Sequence, residues 1–177
     1  MEFLNKLEDK VFGWFRGAPN LPNEARKSLA ENAWWIVIIG SILMTFSILK
    51  GLDFLENQAT LQGSTASSYY ISTTVSDWAV FATTISVVFL VAQVILMLFA
   101  VKPLKEMQKK GWVLLFSSWL LSGVALVANA LLTLGIVSFI ITVLFGAVWL
   151  AISGYFLFEI HGQFAHVERS KGVKKAE

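Results

Sequence analysis

Four long apolar runs, Ala33 to Leu49, Trp78 to Val101, Trp112 to Leu134 and Ile136 to Phe158, alternate with polar segments along this chain. Each approaches or exceeds the roughly 20 apolar residues that carry a helix across a hydrocarbon core of about 30 Å. The pattern predicts an all-α membrane protein, a four-transmembrane-helix bundle. From Trp112 to Phe158 no residue is charged, and one unbroken helix of that length would reach about 70 Å at 1.5 Å per residue. The stretch must therefore fold back. Gly135, within Thr133-Leu-Gly-Ile-Val, is its best turn residue, and a tight antiparallel hairpin with almost no connecting loop is expected there. The first run meets Lys50 early, yet Leu52, Phe54 and Leu55 continue its apolar character. That helix is expected to pass Lys50, whose stem lies along lipid with its ammonium at headgroup level beside Asp53 and Phe54.

Upstream, residues 2 to 16 place Phe3, Leu7, Val11 and Trp14 near one helical face, with Glu2, Lys6, Asp9 and Lys10 largely opposite. This is an N-terminal amphipathic helix, suited to the membrane interface or to packing against another protein. Gly17-Ala-Pro-Asn-Leu-Pro-Asn breaks it, and Glu24 to Asn32 resumes a helix leading into the first span. Three regions follow: residues 1–32 as helix and linker, 33–158 as the membrane domain with an outer loop at 50–77, and 159–177 as a basic tail. The Ser- and Thr-rich stretch from Thr60 to Ser76 contains Tyr69-Tyr-Ile-Ser-Thr-Thr-Val, so it is read as a loop, a short strand or a hairpin.

Charge fixes the threading. Thirteen of the 14 basic residues fall before the first run, between the second and third, or after the fourth; only Lys50 lies elsewhere. By the positive-inside rule both termini and the Lys102 to Lys110 loop are expected to be cytoplasmic, in a multi-pass cell-membrane protein. A content of 56% hydrophobic and 15% charged residues fits one membrane domain. The net charge of +2 is spread over span flanks rather than along a stripe with stacking aromatics, so nucleic acid is not expected as a partner. Trp34, Trp35, Trp78 and Trp112 sit at predicted span ends and, with Phe3, Leu7 and Trp14, are read as membrane-interface residues. The first apolar run starts too late, and lacks the small-residue cleavage site, for a secretory signal.

Inside the spans, small and polar residues repeat on single faces. Ala79, Ser86, Gln93 and Ala100 recur every seven residues in span two, and Ser118, Ser122, Ala125 and Asn129 follow at helical spacing in span three. Gly40 with Ala33 and Ser47 marks span one; Ala147, Ala151 and Gly154 mark span four. Such faces let helices approach closely in lipid, and Gly40, Ser86, Ser118, Ser122, Ala147 and Ala151 are the expected helix-packing positions. Gln93 and Asn129 are the strongly polar side chains deep in the spans, at depths about 14 Å apart, which argues against a direct pair. They are read as interhelical hydrogen-bond formers, or alternatively as part of a polar transport path. A proton or cation pump needs an ionisable intramembrane group, which spans two to four lack.

Chemistry is sparse. The chain has no cysteine, which removes disulfides, thiol nucleophiles and thiolate metal sites. His161 and His166 stand five residues apart, about 140° round a helix, a poor arrangement for joint chelation. Glu159 is read as a helix-end residue rather than an acid-base catalyst. No HExxH, P-loop or GxSxG motif and no paired intramembrane carboxylates occur, so no catalytic, cofactor-binding or metal-ligating residues are assigned and no enzyme activity is expected.

Two stretches carry a resemblance: Pro19-Asn-Leu-Pro-Asn-Glu-Ala-Arg-Lys leading to Asn32-Ala-Trp-Trp-Ile, and Val101-Lys-Pro-Leu-Lys-Glu-Met-Gln-Lys-Lys-Gly-Trp-Val-Leu-Leu-Phe. With them the chain resembles small four-span membrane proteins of uncharacterised function from ultrasmall candidate-phyla bacteria. The resemblance implies a bacterial inner-membrane protein and transfers no catalytic residue. The leading expectation is a non-enzymatic protein of the bilayer that acts by association, as a homo-oligomer, a scaffold or an accessory subunit of a membrane complex. A small-solute channel or carrier with a neutral polar lining is the alternative, and a membrane redox subunit resting on His161 and His166 ranks last.

Overall fold

The computed structural model describes residues 10, 11, 13, 21–63, 77–133 and 135–173. Four helices carry it: α1 (Asn23–Gly63), α2 (Asp77–Lys105), α3 (Lys109–Leu132) and α4 (Ile136–Val173). No strand occurs among the described residues. All four helices are long and apolar enough to cross a membrane, the architecture of a multi-pass membrane protein. Residues 10, 11 and 13 are helical, but the rest of the amphipathic segment, including Phe3, Leu7 and Trp14, lies outside the described residues, as does Tyr69 to Val75.

The helix α1 begins after Pro22, whose carbonyl accepts the first ladder bond from the Arg26 N–H at 3.1 Å. It passes Lys50, as its apolar continuation predicts, and runs on to Gly63, so the first part of the expected outer loop 50–77 is helical. Nothing in Leu52 to Gln62 breaks a helix, and most of those residues are good helix formers. Gly51 sits inside α1 where α2 comes close: a Cβ there would stand 2.6 Å from Val87 Cγ2.

The turn from α2 to α3 is built by the chain end of α2 itself. The N–H of Gln108 reaches the Pro103 carbonyl at 2.8 Å and that of Met107 the Leu104 carbonyl at 2.9 Å, the paired bonds of a Schellman motif. Met107 takes the left-handed position that glycine usually occupies, at φ 53°. Lys102 and Lys105 stand in the last turn of α2, where positive charge complements the carbonyl end of the helix dipole. Gly111 then lies against the backbone of this turn; a Cβ would be 2.6 Å from Leu104 N and 2.9 Å from Pro103 C. The α3–α4 hairpin turns as expected at Gly135, with φ +101°.

Packing follows chain order, α1 on α2, α2 on α3 and α3 on α4, with a smaller α1–α4 contact completing the bundle. The buried core is concentrated near the Lys102 to Lys110 loop, here called the basic end. There Ala30, Ala33 and Val37 of α1 meet Ala100 and Leu104 of α2, Trp112 and Phe116 of α3, and Leu157, Phe158 and Phe164 of α4; Val11 joins the same cluster. Toward the far end the outer faces are apolar and uncovered, as lipid-facing surface is.

Candidate functional site

The polar faces expected on spans two and three meet. On the α2–α3 seam Ser86 Oγ lies 2.5 Å from Asn129 Oδ1, and Ser122 Oγ donates to Gln93 Oε1 at 3.0 Å. Ser86 precedes Gln93 by one heptad and Ser122 precedes Asn129 by one, so a single antiparallel register makes both pairs. Gln93 and Asn129 do not bond to each other, in line with their different depths; each is matched to a serine instead. Each serine also reaches the carbonyl four residues back, Ala82 at 2.8 Å and Ser118 at 3.0 Å. Since a hydroxyl has one proton, turning each amide to present its NH2 satisfies both contacts at once. Gln93, Ser118 and Ala125 are buried. In hydrocarbon such bonds hold helices in register because an unmet amide has no water to turn to.

Other expected packing residues divide. Gly40 is close to α2, with its Cβ position 3.6 Å from Met97. Ala147 and Ala151 are exposed rather than packed among the described residues, which corrects their assignment. The face of α4 that meets α3 is instead the line of Gly146, Leu150 and Leu157. A Cβ on Gly146 would strike the Leu126 side chain. Trp119 and Trp112 donate their indole N–H groups to the Leu150 and Leu157 carbonyls at 3.0 and 2.9 Å. Ala147 and Ala151 each follow this line by one residue, about 100° away round the helix.

The tryptophans expected at membrane interfaces also separate. Trp35 and Trp78 are exposed, and Trp78 gives its N–H to the Leu132 carbonyl at 2.7 Å, one of the unmet acceptors at the end of α3. Trp34 is half-buried with the Lys105 ammonium 5.0 Å from its ring centroid. Trp112 is not a belt residue: it is fully buried, stacked on Phe116 at 5.3 Å and edge-on to Phe158 at 5.8 Å. The close approach at Gly111 sets the α3 start against the α2 turn, and the indole then fills the buried core rather than an outward face.

Glu159 proves to be a clasp. Its carboxylate lies 2.6 Å from Arg26 Nε and accepts the Leu21 N–H at 3.3 Å, tying the start of α1 to α4. No local sequence pattern pairs these residues; the ring closure of the bundle brings them together. His161 stands with its ring centroid 4.4 Å from that of Trp112, part of the aromatic core. The His166 side chain lies outside the described residues. Among the described residues no group of three or more His, Cys, Asp or Glu could hold a metal ion. An open, wholly apolar groove of about 490 Å³ runs along α3 past Leu120, Gly123, Val127 and Leu131, chemically a lipid-facing surface. Comparison with protein-family models, curated proteins and solved structures finds no match, so the chain's own side chains carry the functional argument.

Proposed function

We propose that this multi-pass membrane protein acts by association, with itself or as an accessory subunit, rather than by catalysis or transport. The observation that carries this reading is how the intramembrane polar groups are used. Gln93 and Asn129, the side chains best suited to line a path, bond to Ser122 and Ser86 inside a helix seam. What the bundle turns outward over its far half is apolar surface able to meet lipid or other helices. The basic end is assigned to the cytoplasm with both termini, on the charge asymmetry of the flanks. The resemblance noted in the sequence supports a bacterial inner membrane. Purification in native-lipid particles tests the reading: a multimer or a stoichiometric partner is expected. A solitary monomer that passes a selective solute flux in liposomes would replace it with a channel.

A further inference from the structure

Along α4, Thr142, Phe145, Trp149, Ile152, Phe156 and Glu159 recur at alternating spacings of three and four residues, so they form one stripe of the helix. At the basic end α1 covers this stripe, through the Arg26 contact to Glu159. Farther along, it is bare. Phe145 is 75% exposed and Trp149 69%, and Ile152 and Phe156 are exposed as well. The α1–α4 interface therefore begins on this stripe and is not continued along it.

Trp149 makes the bare stretch chemically specific. It lies within about one turn of the middle of the Ile136–Phe164 span, too deep for its indole to reach a headgroup. Trp78, Trp112 and Trp119 each donate to a backbone carbonyl of the next helix, whereas the Trp149 N–H has no acceptor among the described residues. Acyl chains supply no acceptor at that depth, but a helix does, as the other three tryptophans show. The occupant that satisfies the stripe is a helix.

We propose that this stripe of α4 is the docking surface for a second copy of the chain, α4 against α4, parallel, about a two-fold axis along the membrane normal. This rests on the reading of the protein as self-associating and names the surface. All copies inserted in one membrane share an orientation, so a two-fold pair sets each residue at the depth of its own equivalent. The alternating three- and four-residue spacing is that of a left-handed helix pair, and the shared orientation makes it parallel. Trp149 then faces the other copy's α4 near mid-membrane, where helix carbonyls are the available acceptors. No charge lies between Thr142 and Phe156, so no unlike partner is required to neutralise the face. Ala147 and Ala151 form a rival small-residue face, roughly opposite Trp149 on the helix, but present no unmet donor.

The absence of native cysteine makes the test direct. In the full-length protein in liposomes, Phe145→Cys and Ile152→Cys are expected to form disulfide-linked dimers on oxidation, while Ala147→Cys and Ala151→Cys are not. Trp149→Phe keeps the ring and removes the N–H; it is expected to lower the dimerisation constant about three- to tenfold, the scale of one intramembrane hydrogen bond. Cross-linking through Ala147 and Ala151 instead would overturn the surface and leave self-association standing. Monomer at every protein-to-lipid ratio, with no cross-link, would overturn both. A stoichiometric second protein without a homodimer cross-link would overturn this proposal and move the association to an accessory role. Stripe cross-links with unchanged dimerisation in Trp149→Phe would support the surface and overturn the indole bond across it.

Discussion

Gly111→Ala is expected to be among the most damaging single-methyl changes in the chain. The added Cβ would stand 2.6 Å from Leu104 N and 2.9 Å from Pro103 C, and both are backbone atoms of a turn already fixed by two hydrogen bonds. A side chain could swing aside; this backbone cannot. Recovering ordinary contact requires α3 to retreat by several tenths of an ångström, and Trp112, the next residue, sits at the centre of the core. Overpacking of this kind costs about 1–3 kcal/mol, and the higher part of that range is expected because no flexible neighbour can yield. Gly162→Ala is the matched control. It lies within α4 with nothing within 4 Å of its Cβ position, so replacing glycine there should gain up to about 1 kcal/mol through helix propensity. Reversible unfolding of both variants in the same detergent measures the difference. Equal stabilities would refute the close-approach argument for the α2–α3 turn.

Gln93→Leu or Asn129→Leu is expected to cost about 0.5–2 kcal/mol, with coupling to Ser122→Ala and Ser86→Ala respectively; a double-mutant cycle showing no coupling would dissolve the seam. Glu159→Gln should destabilise by about 1–3 kcal/mol and raise hydrogen exchange at the start of α1, where the Leu21 N–H is held; unchanged exchange would remove the clasp. Trp112→Phe keeps an aromatic ring but loses the bond to the Leu157 carbonyl and leaves a void, for about 1–3 kcal/mol; a neutral result would return Trp112 to the interface. Impermeant labelling of single cysteines is expected to miss the 102–110 loop from outside the cell, and labelling there would invert the threading.

The sequence makes spans and turns legible because crossing hydrocarbon demands length, apolarity and a breaker such as Gly135. It also makes the polar faces of α2 and α3 legible, since Ser86, Gln93, Ser122 and Asn129 are conspicuous against apolar neighbours and their heptad spacing says which face they share, whereas the serine partner of each amide is seen only in the fold. Other faces are silent for the same reason that spans are obvious: in lipid, outward and inward positions are alike apolar. Ala147 and Ala151 therefore look like packing residues while Gly146 takes that place. Trp112 has the position of a headgroup residue, and only the approach at Gly111 buries it. Arg26 and Glu159 are separated by most of the chain, and nothing local connects a helix start with the far end of another.

The α3–α4 hairpin has a consequence for how the chain enters a bilayer. Its two spans meet at a turn marked by Thr133 and Gly135, and from Trp112 to Phe158 the sequence carries no charged side chain that has to cross. This half can partition as one preformed unit from the side of its own flanking charges, its backbone bonds already closed within each helix. The α1–α2 half faces a different barrier. With the basic end cytoplasmic, as proposed, Lys50, Asp53, Glu56 and Asp77 lie beyond its apolar stretches and must be carried through to the opposite side, each at a cost of several kcal/mol when charged in hydrocarbon. On that threading, dependence on an insertion machine is expected to fall on the first two helices, and the last two would supply a platform against which α2 can be aligned by its serine and glutamine.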